Sequence, residues 1–374
     1  MTGLPAGSVV DLFCELAAIS SPPGRERPVA DAVAAYLHAL GLEVAEDDTG
    51  PELGSDCGNL YCRVPASSEA GMPLVFCAHM DTVASDVPVR PLIEGGMIRN
   101  AEPGILGADN KAAVAAMLQA VRDVVRGGLP HAGIELVITT QEEVGLRGAK
   151  AFDVSQLHAR HGYVFDHAGA IGGIVMRAPS QFTIYAEFTG RPAHAGIAPE
   201  QGRSAIAAAA RAIAEMRLGR LDEQTTASVG VIAGGSARNV VPEHCSIEAE
   251  ARSLDHEKAR RTTQLMVDAI QHGASIEECG VETRIVPEYE AYRLRRSDPV
   301  VTLATRALEA RGHSVELLAT GGGADAHIFN ARGIECANLP NGMAQIHTAD
   351  EHIAVADVEE MVRVALALID GARH

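Results

Sequence analysis

Leu74-Val75-Phe76-Cys77-Ala78-His79-Met80-Asp81-Thr82 is the stretch on which the fold turns. Its first five residues form a short unbroken apolar run, the pattern of a strand buried on both faces. The run gives way at once to a histidine and, two residues on, an aspartate. In open α/β sheets ligands bind at the carboxyl ends of strands, so His79 stands where chemistry is expected. Outward from this strand the pattern alternates. Residues 9–18 and 27–42 read as helices, separated by the breaker Ser20-Ser21-Pro22-Pro23-Gly24. Residues 109–126 are an Ala-rich helical stretch, and 133–140 and 163–165 are further buried-strand patterns. Strands separated by helices predict an α/β sheet covered on both faces.

From about residue 180 the periodicity changes. Residues 181–188 alternate like a strand with one exposed face. A small-residue helix follows at 204–218, then strands at 227–233 and 245–252, a charged helix at 256–272 and a strand at 282–287. This β-α-β-β-α-β order predicts a ferredoxin-like α+β domain with an antiparallel sheet. After about residue 289 the α/β pattern resumes, with a helix at 299–311, a strand at 315–320 and a last helix at 355–371. The expected organisation is one α/β domain built from residues 1–179 and 289–374, with a smaller domain, 180–288, inserted into it.

Composition narrows the function classes. The 374 residues are 47% hydrophobic and 21% charged, enough apolar material for two cores. The formal net charge of −18 repels phosphate backbones, so no nucleic-acid partner is expected. Seven cysteines, an odd number with no Cys-x-x-Cys pair, predict reduced thiols in a cytoplasmic protein. The first sixteen residues lack a basic region followed by an apolar run, so no leader is expected. No stretch of about 18 apolar residues occurs, so no membrane span is expected.

The polar residues at the ends of the strand patterns suggest a metal site. Asp81 can hold the His79 imidazole through its other nitrogen; a solvated His-x-Asp loop has the same sequence. In Gly104-Ile105-Leu106-Gly107-Ala108-Asp109-Asn110-Lys111, Asp109 suits both a helix N-cap and a ligand. Glu142 and Glu143 follow the strand pattern at 133–140. Adjacent like charges cost stability unless a cation offsets them, although an exposed loop tolerates the pair. In the functional reading one glutamate binds metal and the other activates water. Asp166 follows the strand pattern at 163–165, and His347 lies in the loop Gln345-Ile346-His347-Thr348-Ala349-Asp350-Glu351. Mixed His and carboxylate ligation without Cys suits zinc in a hydrolytic site, or manganese or cobalt in the same geometry.

Taken in order, His79-Met80-Asp81-Thr82, Gly107-Ala108-Asp109, Glu142-Glu143, Asp166 and His347 resemble the motifs of the co-catalytic zinc peptidases, which include peptidase T, glutamate carboxypeptidase and aminoacylase. The resemblance covers nearly the whole chain. It implies two Zn2+ per chain, with His79, Asp166 and a bridging Asp109 on one. Glu143, His347 and the same Asp109 would hold the other, with Glu142 as the general base. It implies a zinc-peptidase-type α/β catalytic domain, the inserted domain serving as lid and dimerisation module. It also implies a cis Asp109–Asn110 peptide bond. The segments 104–111, 321–326 and 342–348 look most like the peptidase T branch. Asn110 stands where that branch often has Asp, and His167 where it commonly has glycine.

The same resemblance marks residues of the inserted domain. His194 matches a lid histidine that supports the tetrahedral oxyanion, commonly across a dimer. Asn239 and Arg252 match substrate-binding positions, and an arginine can grip a carboxylate by two parallel hydrogen bonds. Gly321 and Gly322 can offer backbone N–H groups to a substrate carboxylate; a flexible turn accounts for the same run. The expected protein is a homodimeric aminopeptidase that cuts an amide bond in a short peptide. The alternatives are an N-acyl amino acid amidohydrolase, a carboxypeptidase or dipeptidase of the same family, and a non-catalytic binding protein that kept the fold. The intact ligand set with Glu142 argues against the last.

Overall fold

The computed structural model describes residues 7–68 and 70–373; residues 1–6, part of the stretch read for a leader, lie outside them. The apolar run at 74–78 is the strand Leu74–His79, buried at all six positions. It pairs in parallel with Ile134–Thr139 on one side and His161–His167 on the other. Glu335–Pro340 continues the sheet in parallel beyond His161–His167. Leu60–Val64 pairs antiparallel with Ile134–Thr139, and Val44–Glu46 pairs antiparallel with Leu60–Val64. Four adjacent strands therefore run the same way and end along one edge. The strand at 335–340 is not in the sequence reading, because Glu335, Asn338 and Pro340 interrupt its apolar pattern.

Helices cover this sheet. Val9–Ala18 opens with a reciprocal cap: Ser8 Oγ accepts the Asp11 N–H at 3.2 Å, and Asp11 accepts the Ser8 N–H at 3.0 Å. The helix read at 27–42 stops at His38. Gly41, at φ 78°, turns the chain so that the Leu42 N–H reaches back to Leu37 O at 3.2 Å. The helix Ala108–Gly127 is non-helical at Asp109 and Asn110 and becomes regular after them. Its buried alanines, Ala112, Ala113, Ala115, Ala116 and Ala120, let it lie close between the sheet and the helices Val9–Ala18 and Val355–Gly371.

The chain divides into two units, 1–176 with 293–319 and 324–374, and 177–292 with 320–323. The second is ferredoxin-like. Its main strands lie in the order Thr225–Gly234, His244–Ser253, Ser180–Thr189, Gly280–Tyr289, all antiparallel. The helices Ala205–Glu215 and His256–Ile276 bury Ala205, Ala208, Ala209, Ala212, Met266 and Ile270 in a core with Ile184, Phe188 and Ile247. Gly273 allows the two helices to touch: a Cβ there would lie 2.7 Å from both Ala208 O and Ala212 N. The helix read at 204–218 ends at Glu215 because Gly219–Asp222 forms an edge strand on Thr225–Gly234. Among the described residues, no helix is long and apolar enough to cross a membrane.

Candidate metal centre

The parallel strands place their last residues side by side. His79 ends one strand, Asp166 lies near the end of its neighbour, and Glu142 and Glu143 follow the strand on the other side. Asp109 comes from the turn that opens the helix Ala108–Gly127, and His347 from the loop after Glu335–Pro340. The Asp109–Asn110 peptide is cis, as the resemblance implies.

Asp109 lies between two histidines. Its Oδ1 is 3.1 Å from His79 Nε2, and its Oδ2 is 3.1 Å from His347 Nε2. His79 Nε2 is also 3.5 Å from Asp166 Oδ1, and His347 Nε2 is 3.1 Å from Glu143 Oε1. Donor atoms of His79, Asp109 and Glu143 all fall within 4.8 Å of one another. Ligand atoms around a tetrahedral ion at ~2.0–2.2 Å lie roughly 3.3–3.5 Å apart, so this spacing fits metal ions without rearrangement. The donor set fits as well. Asp81, Asp109 and Asp166 are enclosed together, and such a concentration of carboxylates calls for cations.

Asp81 does more than orient a ring. His79 Nδ1 lies 3.0 Å from the Asp81 carbonyl and 3.4 Å from Asp81 Oδ1. The Asp81 carboxylate oxygens accept the N–H groups of Glu142 at 3.0 Å and Glu143 at 3.1 Å. Asp81 thereby fixes the turn that presents both glutamates.

Electrostatics follow from this packing. Burial raises Asp109, but its hydrogen bonds to His347 and His79 outweigh that and hold it below the usual carboxylate range. Burial lowers His79, but Asp166, Asp109 and Asp81 hold it well above its usual value. The bonds to Asp109 and Glu143 lift His347 to about 10. Burial pushes Asp166 up to about 7. It also raises Glu142 well above its ordinary value, with Asp166, Asp325 and Glu143 adding to the shift and His79 opposing it. In the metal-free protein the cluster therefore holds protons where cations would bind, and uptake of a cation displaces them.

Several buried residues around this centre escaped the sequence reading. Asp325 sits under it: its Oδ2 accepts from Thr139 Oγ1 at 2.6 Å, while its Oδ1 is buried without a hydrogen bond. Glu26 accepts from Thr140 Oγ1 at 2.6 Å and from the Gln141 N–H at 3.0 Å, just before the two glutamates. Gln141 itself takes a φ of 52°, uncommon for a non-glycine residue. Asn338 and Asp166 exchange bonds of 3.0 Å through Asn338 Oδ1 and Nδ2. Asp325 had a signal, an acid following the Gly321–Gly323 run; Glu26 and Asn338 had none.

The remaining expected residues lie in the second unit. His194 is exposed and accepts the Gly196 N–H on Nδ1 at 3.2 Å. Asn239 is exposed, and its carbonyl accepts the Ala195 N–H at 3.0 Å. Arg252 is engaged within its own unit. Its fork meets both oxygens of Glu250, at 3.0 and 2.9 Å, and its Nη1 donates to Gly321 O at 3.1 Å. The Gly322 N–H donates to Thr320 Oγ1 at 3.1 Å. These bonds use three of the five guanidinium N–H groups of Arg252.

Comparison with known proteins gives the family. Residues 59–174 match the model of peptidase family M28, and residues 180–277 match the peptidase dimerisation domain. The chain is 37% identical to the uncharacterized protein YqjE of Bacillus subtilis, over 97% of this chain and 98% of that one. It is 38% identical to aminopeptidase PepT from Bacillus cereus, whose crystal structure superposes with a TM-score of 0.86 over 98% of each chain. A tripeptidase from Staphylococcus aureus is 35% identical and superposes with a TM-score of 0.91, again over 98% of each chain. Over nearly its whole length the chain thus matches peptidases, and it belongs to the peptidase T-like branch of the co-catalytic metallopeptidases.

Proposed function

We propose that this peptidase is a dinuclear zinc aminopeptidase that removes the N-terminal residue from short peptides, tripeptides foremost. The observation that carries the reading is Asp109, whose two carboxylate oxygens stand at 3.1 Å from two different imidazoles. A carboxylate so placed suits the bridge between two ions. His79 and Asp166 would complete one set of ligands, and Glu143 and His347 the other. The ions would lower the pKa of a bound water and polarise the scissile carbonyl.

The chain's own groups do the rest. Glu142 takes the proton of the attacking water on its carboxylate and later gives it to the leaving amine. A raised pKa suits that exchange, since the group must both accept and release a proton near neutral pH. Asp81 keeps Glu142 and Glu143 at a fixed separation through their backbone N–H groups. His194 supports the oxyanion, and Asn239, Arg252 and the Gly321–Gly322 backbone bind substrate. The segment 180–288 acts as lid and dimerisation domain, which the match to a peptidase dimerisation domain supports. Seven free cysteines support a cytoplasmic location.

The test is a panel of tripeptides, dipeptides and acetylated amino acids, assayed with zinc, cobalt and manganese beside elemental analysis of the purified protein. The reading expects two equivalents of zinc per chain and tripeptides as the preferred substrates. Fewer than two equivalents, or cleavage confined to acetylated amino acids, overturns it.

A further inference from the structure

The loop that carries His347 also carries a second, buried carboxylate. Glu351 is 3% exposed and reaches across to the turn that opens the helix Ala108–Gly127. Its Oε2 accepts the N–H groups of Leu106 at 2.8 Å and Gly107 at 3.1 Å, and its Oε1 accepts the Asp109 N–H at 3.1 Å. The turn needs such a clamp, because these amides precede the regular part of the helix and find no carbonyl in it. We infer that Glu351 is a positioning residue for the metal centre, coupling the placement of Asp109 to that of His347; this rests on the metal reading above.

Three observations carry the inference. First, one loop supplies a side chain to Asp109 Oδ2, through His347 Nε2, and another to the Asp109 backbone. Moving the loop therefore moves both ends of a contact on which the second ion depends. Secondly, the loop's conformation is imposed on it. The Ala344 and His352 backbones pair at its base, and between them Gln345 and His347 take φ values of 54° and 62°. Non-glycine residues seldom adopt this conformation unless the surroundings impose it. Thirdly, the clamp is enclosed. Glu351 is 3% exposed and Lys111, two residues after Asp109, is 2% exposed and donates to Ile19 O, so an amide that loses its acceptor here is buried away from water.

A buried carboxylate can hold backbone amides for packing alone, and Glu135 provides the control. It accepts from Tyr61 Oη, from the His158 N–H at 3.0 Å and from the Ala159 N–H at 2.7 Å, and among the described residues it has no hydrogen bond to the metal cluster. Metal-free wild type, Glu351→Gln, Glu351→Asp and Glu135→Gln are titrated with zinc, and hydrolysis of a tripeptide is followed against zinc concentration. Glu351→Gln sets an amide nitrogen against the Asp109 N–H, and Glu351→Asp withdraws the carboxylate by one methylene. Both should bind zinc ~10–100-fold more weakly than wild type, the usual loss when a partner of a metal ligand is removed. Their kcat should recover as zinc is raised, with KM unchanged. Glu135→Gln should lower the thermal midpoint and leave zinc affinity where it was. Wild-type zinc affinity in both Glu351 variants, or an equal loss in Glu135→Gln, overturns the inference. If wild type itself binds no zinc, the metal reading fails instead.

Discussion

Glu142→Gln separates a proton carrier from a structural residue, because the two roles move stability in opposite directions. The substitution keeps the side-chain shape and the backbone bond from Glu142 N–H to Asp81. Among the described residues the Glu142 carboxyl anchors no backbone group, so little of the fold depends on it. Loss of a general base costs ~10²–10⁴ in kcat, or about 2.7–5.4 kcal/mol in the barrier at 1.36 kcal/mol per decade. Stability should move the other way. Burial raises the pKa of Glu142 in the folded protein, so the metal-free native state binds this proton more tightly than the unfolded chain does. Its contribution to stability is present at low pH and lost as pH rises above the usual carboxylate range. Glutamine carries no charge and escapes that loss. The metal-free variant should therefore melt at or above wild type near about pH 8, and the difference should shrink as pH falls toward about 4. The assays are tripeptide turnover, zinc content by elemental analysis, and thermal scans of the metal-free proteins across pH. Wild-type turnover in a zinc-loaded variant refutes the assignment. So does lost turnover accompanied by lost zinc.

Other substitutions probe the remaining parts. His79→Ala should lower bound zinc, read by elemental analysis, because His79 Nε2 faces both Asp109 and Asp166; unchanged stoichiometry counts against its place in the cluster. His347, lifted to about 10 by Asp109 and Glu143, stabilises the metal-free fold below its usual value of 6.5, and this is lost as pH rises toward 10. Wild type minus His347→Ala in thermal midpoint should therefore be largest below about pH 6.5 and decline above it. Displacement of that proton should make zinc uptake release protons near neutral pH, measurable as a buffer-dependent heat of binding. Gly148→Ala should destabilise the turn before Glu142 by ~1–3 kcal/mol, the usual cost of overpacking. Its Cβ would overlap the Thr140 carbonyl and lie 2.6 Å from Asn59 Oδ1, so a lowered unfolding midpoint is expected.

The cluster residues legible in sequence share one property: their place in the fold is marked by neighbours along the chain. His79, Asp166, Glu142 and Glu143 each follow an apolar strand run, and the end of a parallel strand is a place fixed by local pattern. Asp109 was half legible, since a helix cap and a ligand call for the same residue type at the same position. His347 was one of 15 histidines, and only the resemblance singled it out. The carboxylates that clamp the site were not legible, for a physical reason. Glu26 and Glu351 bond backbone amides 115 and 242 to 245 positions away. Every residue but proline has an amide, so the partner's sequence carries no mark of the contact. Which amides lack a partner is decided only once the strands have paired. Arg252 differs, because its pairing was available to the eye. Glu250 and Arg252 are two apart on one strand and so share a face. Their opposite charges at that spacing already indicate that this arginine has a carboxylate partner on its own strand, which takes up its Nε and Nη2.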